Sequence, residues 1–230
     1  MEVIQKTAQK FIVRIPADES FANAIRRSVS EIPVLAIDEV EIFKNDSALY
    51  NEVLAHRLGL IPLKTEKSMN DKTKIEFKLS KVGPCTVYAS DLEGPAEIVY
   101  PKIPITLLEK DKKLELVATA ILGKGIEHAK YLPGICFYRH LVDVKSNPEI
   151  EKIIQNSKGF VKQKKGNTWR CDLTDKEIDS IQKINKEAVT DSDELLMIIE
   201  SFGQMDAKEI FVKALNALEE NLAELEKSLK

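Results

Sequence analysis

The fold of this chain is decided by the stretch FANAIRRSVSEIPVLAI, residues 21–37. Its first part places apolar side chains such as Phe21 and Ile25 at helical spacing. Pro33 ends this helix, because a proline disfavours the helical conformation of the residue before it. The next residues alternate, which predicts a strand over Val34–Phe43. A helix that leads directly into a strand is therefore the first unit of the fold.

The flanking segments extend this unit on both sides. Residues 11–15 alternate with a period of two, which predicts a half-buried strand that ends at Pro16. Ser20 is the predicted N-cap of the helix, because its hydroxyl can accept a hydrogen bond from the first turn. Farther along, Asn45-Asp46-Ser47 predicts a turn, and residues 48–58 predict a second helix.

The middle of the chain changes character at about residue 143. Residues 68–143 have a mostly β pattern, with strands predicted at residues 75–79, 86–89 and 114–121. The segment that follows is rich in Lys and Asn and has few large apolar residues. It predicts short helices over 148–156 and 175–186, with a hairpin around Gly166.

The C-terminal segment is the most regular part of the sequence. Leu195–Ile199 is continuously apolar, which is typical of a strand covered on both faces. Asp206 and Glu209 have the spacing of a capping box and predict the start of a helix. Beyond them apolar residues recur in steps of three and four, as in an a/d seam. The members of this seam are Phe211, Leu215, Leu218, Leu222, Leu225 and Leu229.

This seam allows two interpretations. A monomeric domain would bury such a stripe in its own core. However, Ile210, Val212 and Ala214 make the apolar surface of the helix wider than one sheet face needs, which favours a partner.

Composition excludes several classes of protein. The chain has 230 residues, of which 43% are hydrophobic, and its net charge is −3. A generally basic nucleic-acid binder is therefore not indicated. Residues 158–170 contain five basic residues with Phe160 and Trp169 between them, which fits either a nucleic-acid contact or a solvated hairpin. No apolar run is long enough to cross a membrane, and the polar N-terminus is unlike a signal peptide. The three dispersed cysteines indicate a reducing, cytoplasmic compartment.

The sequence offers no convincing catalytic or metal-binding motif. The histidines are far apart and not at metal-ligand spacing. Gly123-Lys124-Gly125 lacks the pattern of a phosphate-binding loop and predicts a tight turn. No serine lies in a nucleophile elbow. We therefore expect no catalytic residues and no metal in this chain.

Three ordered motifs resemble one protein family. Residues 21–37 closely resemble the signature of α-type RNA polymerase subunits. Residues 54–63, Leu-Ala-His-Arg-Leu-Gly-Leu-Ile-Pro-Leu, resemble a second signature of this family, and residues 123–133 resemble a third. In the third motif Tyr131 stands where tryptophan is common. The tail from Glu200 onward is also similar. The resemblance covers most of the chain and is closest to the archaeal branch, the D subunits.

The resemblance implies an α+β fold with a discontinuous dimerisation domain, formed by residues 1–43 and 193–230. An inserted β-rich domain would occupy residues 44–143. Residues 144–192 lie where many archaeal members carry a ferredoxin-like domain with an iron–sulfur cluster. Because this segment contains only Cys171 and a cluster needs several thiolates, we expect a degenerate insert without a cluster.

The resemblance also implies the role and the partners of the chain. It implies a non-catalytic scaffold of DNA-directed RNA polymerase that pairs with subunit L and nucleates assembly of the large catalytic subunits. The second-largest subunit and the small subunits N and P would bind nearby. No sequence-specific nucleic-acid binding is expected, and a homodimer like bacterial α is the main alternative.

Two sets of residues follow from the resemblance and the seam. The expected interface with subunit L comprises Phe21, Ile25, Phe211, Leu215, Leu218, Leu222 and Leu225. The expected contacts with large or small subunits are Arg26, Arg27, Glu52, His56 and Arg57.

Overall fold

Antiparallel pairing between distant parts of the chain organises the molecule. The computed structural model describes residues 1–229. Its strands are β1 (Glu2–Lys6), β2 (Lys10–Ile15), β3 (Val34–Asn45), β4 (Lys74–Val82), β5 (Cys85–Tyr88), β6 (Pro104–Leu108), β7 (Lys113–Gly123), β8 (Gly134–Lys145), β9 (Lys162–Lys165), β10 (Thr168–Cys171) and β11 (Val189–Ser201). Its α-helices are α1 (Glu19–Ser28), α2 (Asn51–Gly59), α3 (Pro148–Asn156), α4 (Asp175–Ile184) and α5 (Ala207–Ser228).

The largest sheet has six strands in the order β1-β2-β11-β8-β10-β9. Its centre is β11, which pairs with β2 on one side and β8 on the other. Alternate residues of β11 enter different cores: Met197 packs beneath α1 and α5, whereas Ile198 packs on the opposite face. This two-sided burial confirms the prediction from its continuous apolar character.

A second body lies between β3 and β8 in the sequence. It contains the sheet β3-β7-β4 and the two-stranded sheet β5-β6. Helix α2 contributes Leu54 and Leu58 to its core, where they join Phe77 from β4. Alternate residues of β3 and β7 face this core, and the second half of β3 is largely exposed.

The segment between β8 and β11 forms a small layer against the large sheet. Helices α3 and α4 pack on a core that includes Cys171 and Val144. Val161 lies on the face of the large sheet that α1 and α5 leave free. The predicted helices and the hairpin at Gly166 are confirmed, although α4 ends at Ile184 rather than at residue 186.

The ends of three helices differ from the predictions. Asp18, and not Ser20, caps α1, because its carboxylate accepts a hydrogen bond from the backbone N–H of Phe21 at 2.8 Å. Helix α2 begins at Asn51 rather than at residue 48, since the Asn45 side chain holds the preceding turn. Helix α5 begins directly after Asp206, as predicted, but Asp206 caps it through its backbone and makes no side-chain capping bond, so the expected capping box is absent.

The sheets also divide the chain differently from the predicted boundary at residue 143. Strand β8 pairs with β11 along most of its length, and therefore residues 134–145 belong to the large sheet. Local pattern could not show this, because the paired residues of β11 lie 45 to 67 positions later in the sequence. Strands β1 and β6 were not expected as separate elements.

Candidate protein-interaction interface

The packing of α1 against α5 buries two residues that were expected at an interface. Ile25 is 1% exposed and Phe211 is 4% exposed. The Phe211 ring lies 5.5 Å from the ring of Phe11, centroid to centroid. Both side chains belong to the core of this chain, which leaves little of their surface for a partner, and their place in the interface stays a prediction.

The outer half of α5 behaves differently. Leu215 and Leu218 are partly buried and pack against the core of the large sheet. Beyond them, every residue from 219 to 229 is exposed. Leu222 and Leu225 are 59% and 56% exposed, and they lie on the same face of the helix as Leu218. This part of α5 is therefore an amphipathic helix whose apolar stripe has no cover from the described part of the chain.

Helix α1 adds both apolar and basic side chains at the surface. Phe21 lies in its first turn and is 49% exposed. Arg26 and Arg27 lie in its last turn and are exposed, as expected for cations near a helix C-terminus. The Arg26 guanidinium donates to Oδ1 of Asn23 at 2.8 and 3.1 Å, which holds its side chain along the helix.

The predicted contact residues of α2 lie on the second body. Glu52, His56 and Arg57 are all exposed. The Arg57 guanidinium donates to the carbonyl oxygen of Pro104 at 2.5 Å, and this bond links α2 to β6. These three residues therefore lie together on α2, whereas Arg26 and Arg27 lie on α1.

Strand β3 carries a polar cluster that sequence reasoning missed. The Asp38 carboxylate accepts hydrogen bonds from the Lys130 ammonium at 2.6 Å and from the Tyr131 hydroxyl at 3.0 Å. These bonds hold the pKa of Asp38 below its usual value despite partial burial. The Tyr131 ring also explains Gly123, because a Cβ there would lie 2.5 Å from the ring. Gly123 therefore serves packing rather than phosphate binding.

The basic stretch 158–170 is largely engaged in contacts with its own surroundings. The Lys162 ammonium donates to the carbonyl oxygens of Gln155 and Ser157. Lys164 pairs with Glu151 at 2.7 Å and lies over the Trp169 ring. These contacts favour the solvated-hairpin interpretation over a nucleic-acid contact.

The cysteines do not form a metal site. Cys171 is buried in the core of the small layer, whereas Cys85 and Cys136 are half-buried in other parts of the fold. Burial raises the pKa of both Cys136 and Cys171 to about 12, so these thiols stay protonated. Over residues 1–229 no group of three or more His, Cys, Asp or Glu side chains could hold a metal ion. The residues present therefore do not fit an iron–sulfur cluster.

In the described range, 1–229, none of the helices combines the length and the apolar character needed to cross a bilayer.

Comparisons with known proteins identify the family. Residues 39–133 match the model of the RNA polymerase Rpb3/RpoA insert domain, which ends where β8 returns the chain to the large sheet. The DNA-directed RNA polymerase subunit Rpo3 of Methanocaldococcus jannaschii is 38% identical, over 69% of this chain and 88% of that relative.

Two further relatives carry the same name. The Rpo3 subunit of Halobacterium salinarum is 31% identical, over 96% of this chain and 92% of the relative. The alignment with Rpo3 of Thermococcus kodakarensis, at 40% identity, spans 61% of this chain and 58% of that relative. Given the extent of these alignments, this chain belongs to the Rpo3 family of archaeal α-type subunits of DNA-directed RNA polymerase.

Proposed function

We propose that this chain is a non-catalytic assembly scaffold of RNA polymerase, which pairs with a subunit of the L type. The main support is the exposed apolar stripe on the outer half of α5. Leucine side chains exposed to water on a helix are unfavourable in free energy, and covering them with another apolar surface removes this cost. Phe21 lies on the neighbouring helix α1 and would extend the same contact.

The half-buried leucines of α5 would connect this interface to the core. Leu215 and Leu218 already contact the core of the large sheet, and their remaining surface would complete the partner's binding site. Leu222 and Leu225 would contribute almost entirely to the partner, since they are the more exposed members of the stripe. We therefore propose Phe21, Leu215, Leu218, Leu222 and Leu225 as the interface with the L-type subunit.

The remaining polar sites would recruit other subunits. Arg26 and Arg27 on α1 suit polar contacts with the second-largest subunit, because an exposed guanidinium can bind carboxylates through paired hydrogen bonds. Glu52, His56 and Arg57 on α2 are proposed contacts for that subunit or for the small subunits N and P. Catalysis of nucleotide transfer would then belong to the large subunits.

We further propose that this member of the family functions without a cofactor and in the cytoplasm. The lone buried thiol of the 144–192 segment supports the first proposal. Free thiols at all three cysteines support the second, because disulfides are rare in reducing compartments.

Co-purification with an L-type subunit tests the scaffold proposal. We expect Leu222→Ala combined with Leu225→Ala to weaken the pair by tenfold or more. A central interface side chain often contributes more than about 1 kcal/mol, and about 1.4 kcal/mol is tenfold in affinity. The matched control is Leu107→Ala on β6, where the leucine is 69% exposed. Unchanged affinity in the double variant would contradict the proposal.

Gel filtration distinguishes a homodimer of this chain from the proposed heterodimer with the L-type subunit. If the α5 stripe binds a second copy of this chain, the isolated protein should elute as a dimer. It should then become a monomer when Leu222 and Leu225 are replaced. A wild-type monomer that forms a heterodimer with the L-type subunit is the result expected from our proposal.

A further inference from the structure

The outer half of α5, residues 219–228, is strongly acidic as well as apolar. It contains Glu219, Glu220, Glu224 and Glu226 but a single cation, Lys227, so its net charge is −3 (one positive charge minus four negative ones). All of these side chains are exposed. Because the whole chain also has a net charge of −3, the charges of all other residues cancel. The negative charge of this protein is therefore concentrated around the leucine stripe.

Two of the glutamates border the stripe itself. Glu219 and Glu226 each follow a leucine of the stripe by four residues, and side chains at this spacing are neighbours on a helix surface. In the a/d pattern of the stripe they occupy e positions, which flank the contact and help to select the partner of a paired helix. The opposite flank carries Asn221 and Ser228 and is uncharged. The stripe thus has one acidic border.

The other two glutamates, Glu220 and Glu224, lie on the side of α5 opposite the stripe, as the helical period requires. Glu220 lines a cavity of about 330 Å³ together with Lys124 and Lys213, so this chain has cations of its own near that carboxylate. In contrast, Glu219 forms no ion pair within residues 1–229. The charge at the border of the stripe therefore lacks such cover.

The placement of these glutamates is unfavourable for the helix alone. A helix C-terminus carries partial negative charge, which favours cations over carboxylates. Glu226 nevertheless lies in the last turn of α5, with Glu224 just before it. Glu220 and Glu224 are like charges four residues apart, a spacing that destabilises a helix. Because departures from such local rules are expected at functional sites, a partner explains this charge better than the stability of α5 does.

We propose that the acidic border selects the partner of α5. It favours an apolar helix that is bordered by Lys or Arg, whose cations pair with Glu219 and Glu226 at the rim of the contact. It also acts against a second copy of this chain, because a twofold pair would bring a summed charge of −6 (two times −3) to one interface. Complementary charges steer the correct partner, and like charges reject the wrong one. This proposal rests on the proposed function, since it concerns which partner covers the same stripe.

Charge reversal on the two sides of α5 tests the selection of a basic partner. Glu219→Lys with Glu226→Lys reverses the border, and Glu220→Lys with Glu224→Lys is the matched control with the same change of net charge. At low salt, we expect the border variant to bind the L-type subunit at least about tenfold more weakly than the wild type, because attractions become repulsions. The control should weaken binding by less than about threefold, since its charges lie farther from the contact. At about 1 M salt, where the Debye length is about 3 Å, the two variants should bind alike.

Self-association of the full chain tests the rejection of a second copy without the L-type subunit. Glu219→Gln with Glu226→Gln removes the charge of the border while nearly keeping the size of the side chains. Sedimentation equilibrium should show self-association at least about threefold stronger than in the wild type, because like charges across the stripe are removed. Glu220→Gln with Glu224→Gln is the control and should have a smaller effect.

The outcomes separate this proposal from the scaffold function. Equal weakening by the two reversal variants, unchanged affinity in the border variant, or unchanged self-association after neutralisation of the border would overturn the charge proposal. If Leu222→Ala with Leu225→Ala still weakens the pair with the L-type subunit, the scaffold proposal stands and charge selection alone fails. If the wild-type chain does not bind the L-type subunit, the scaffold proposal fails and the charge proposal fails with it.

Discussion

At the residue scale, burial controls the chemistry of the cysteines. Cys171 lies in the core of the small layer at 0% exposure, and burial raises the pKa of its thiol to about 12. The thiolate is the reactive form, so Cys171 should be inert in the folded chain. The same segment in a cluster-binding relative would need several thiolates held at its surface or around a cavity.

Thiol labelling with iodoacetamide at pH 8 tests this expectation. We expect Cys171 to remain unmodified in the native protein and to react fully in denaturant, as measured by peptide mass spectrometry. Cys85 is the internal control, because it is half-buried and lies in a different sheet. Native labelling of Cys171 at the same rate as Cys85 would contradict the described burial.

Glu151 gives a second prediction at the residue scale. Hydrogen bonds from Lys164, Ser146 and Trp169 lower the pKa of its carboxyl to about 2. The ionised form is therefore favoured by folding. Its contribution to stability is complete above the ordinary pKa of about 4.5 and is lost as the pH falls toward 2.

An NMR titration of the Glu151 side chain measures this pKa directly. In the Lys164→Met variant, we expect the pKa to move back toward its ordinary value, because the first and largest cause of the shift is removed. The loss of stability between pH 5 and pH 2 should also become smaller. An unchanged titration in this variant would show that Lys164 does not hold the carboxylate.

At the scale of elements, α5 divides into a core half and a surface half. Phe211→Ala removes a buried ring and should cost about 3–5 kcal/mol of unfolding free energy. For a chain of this size this lowers the Tm by roughly 10 °C. Leu222→Ala should change the Tm of the isolated chain very little, since Leu222 is 59% exposed. Calorimetry of both variants checks the division, and equal losses would contradict it.

The sequence predicted elements well wherever the local pattern determines them. The periodicity of α5 and the continuous apolar run of β11 are local signals, and the structure confirms both elements. The same periodicity could not show that Phe211 faces its own core while Leu222 faces solvent, because this depends on where the sheet below α5 ends.

At the scale of the whole molecule, we expect the protection of backbone amides from hydrogen exchange to be highest in β11 and to decrease with distance from it. This strand is paired on both sides and covered on both faces. Its amides should exchange most slowly with deuterium, because they open only with the whole sheet. Residues 219–228 of α5 should exchange quickly in the isolated chain and become protected in the pair with the L-type subunit. Hydrogen exchange with mass spectrometry measures both, and a protected free α5 would contradict the interface proposal.

The strand order β2-β11-β8 also has a consequence for how the chain is made. Strand β2 leaves the ribosome early, yet its partner β11 begins at Val189. At roughly 5–20 residues per second, synthesis leaves β2 without this partner for about 10–40 s. During this time, the β1-β2 hairpin has only marginal stability and an open edge that can pair with other chains. The central sheet is therefore completed late in synthesis. Until then, the unpaired edge of β2 can pair with the wrong strand, so misassembly is expected to begin in nascent chains.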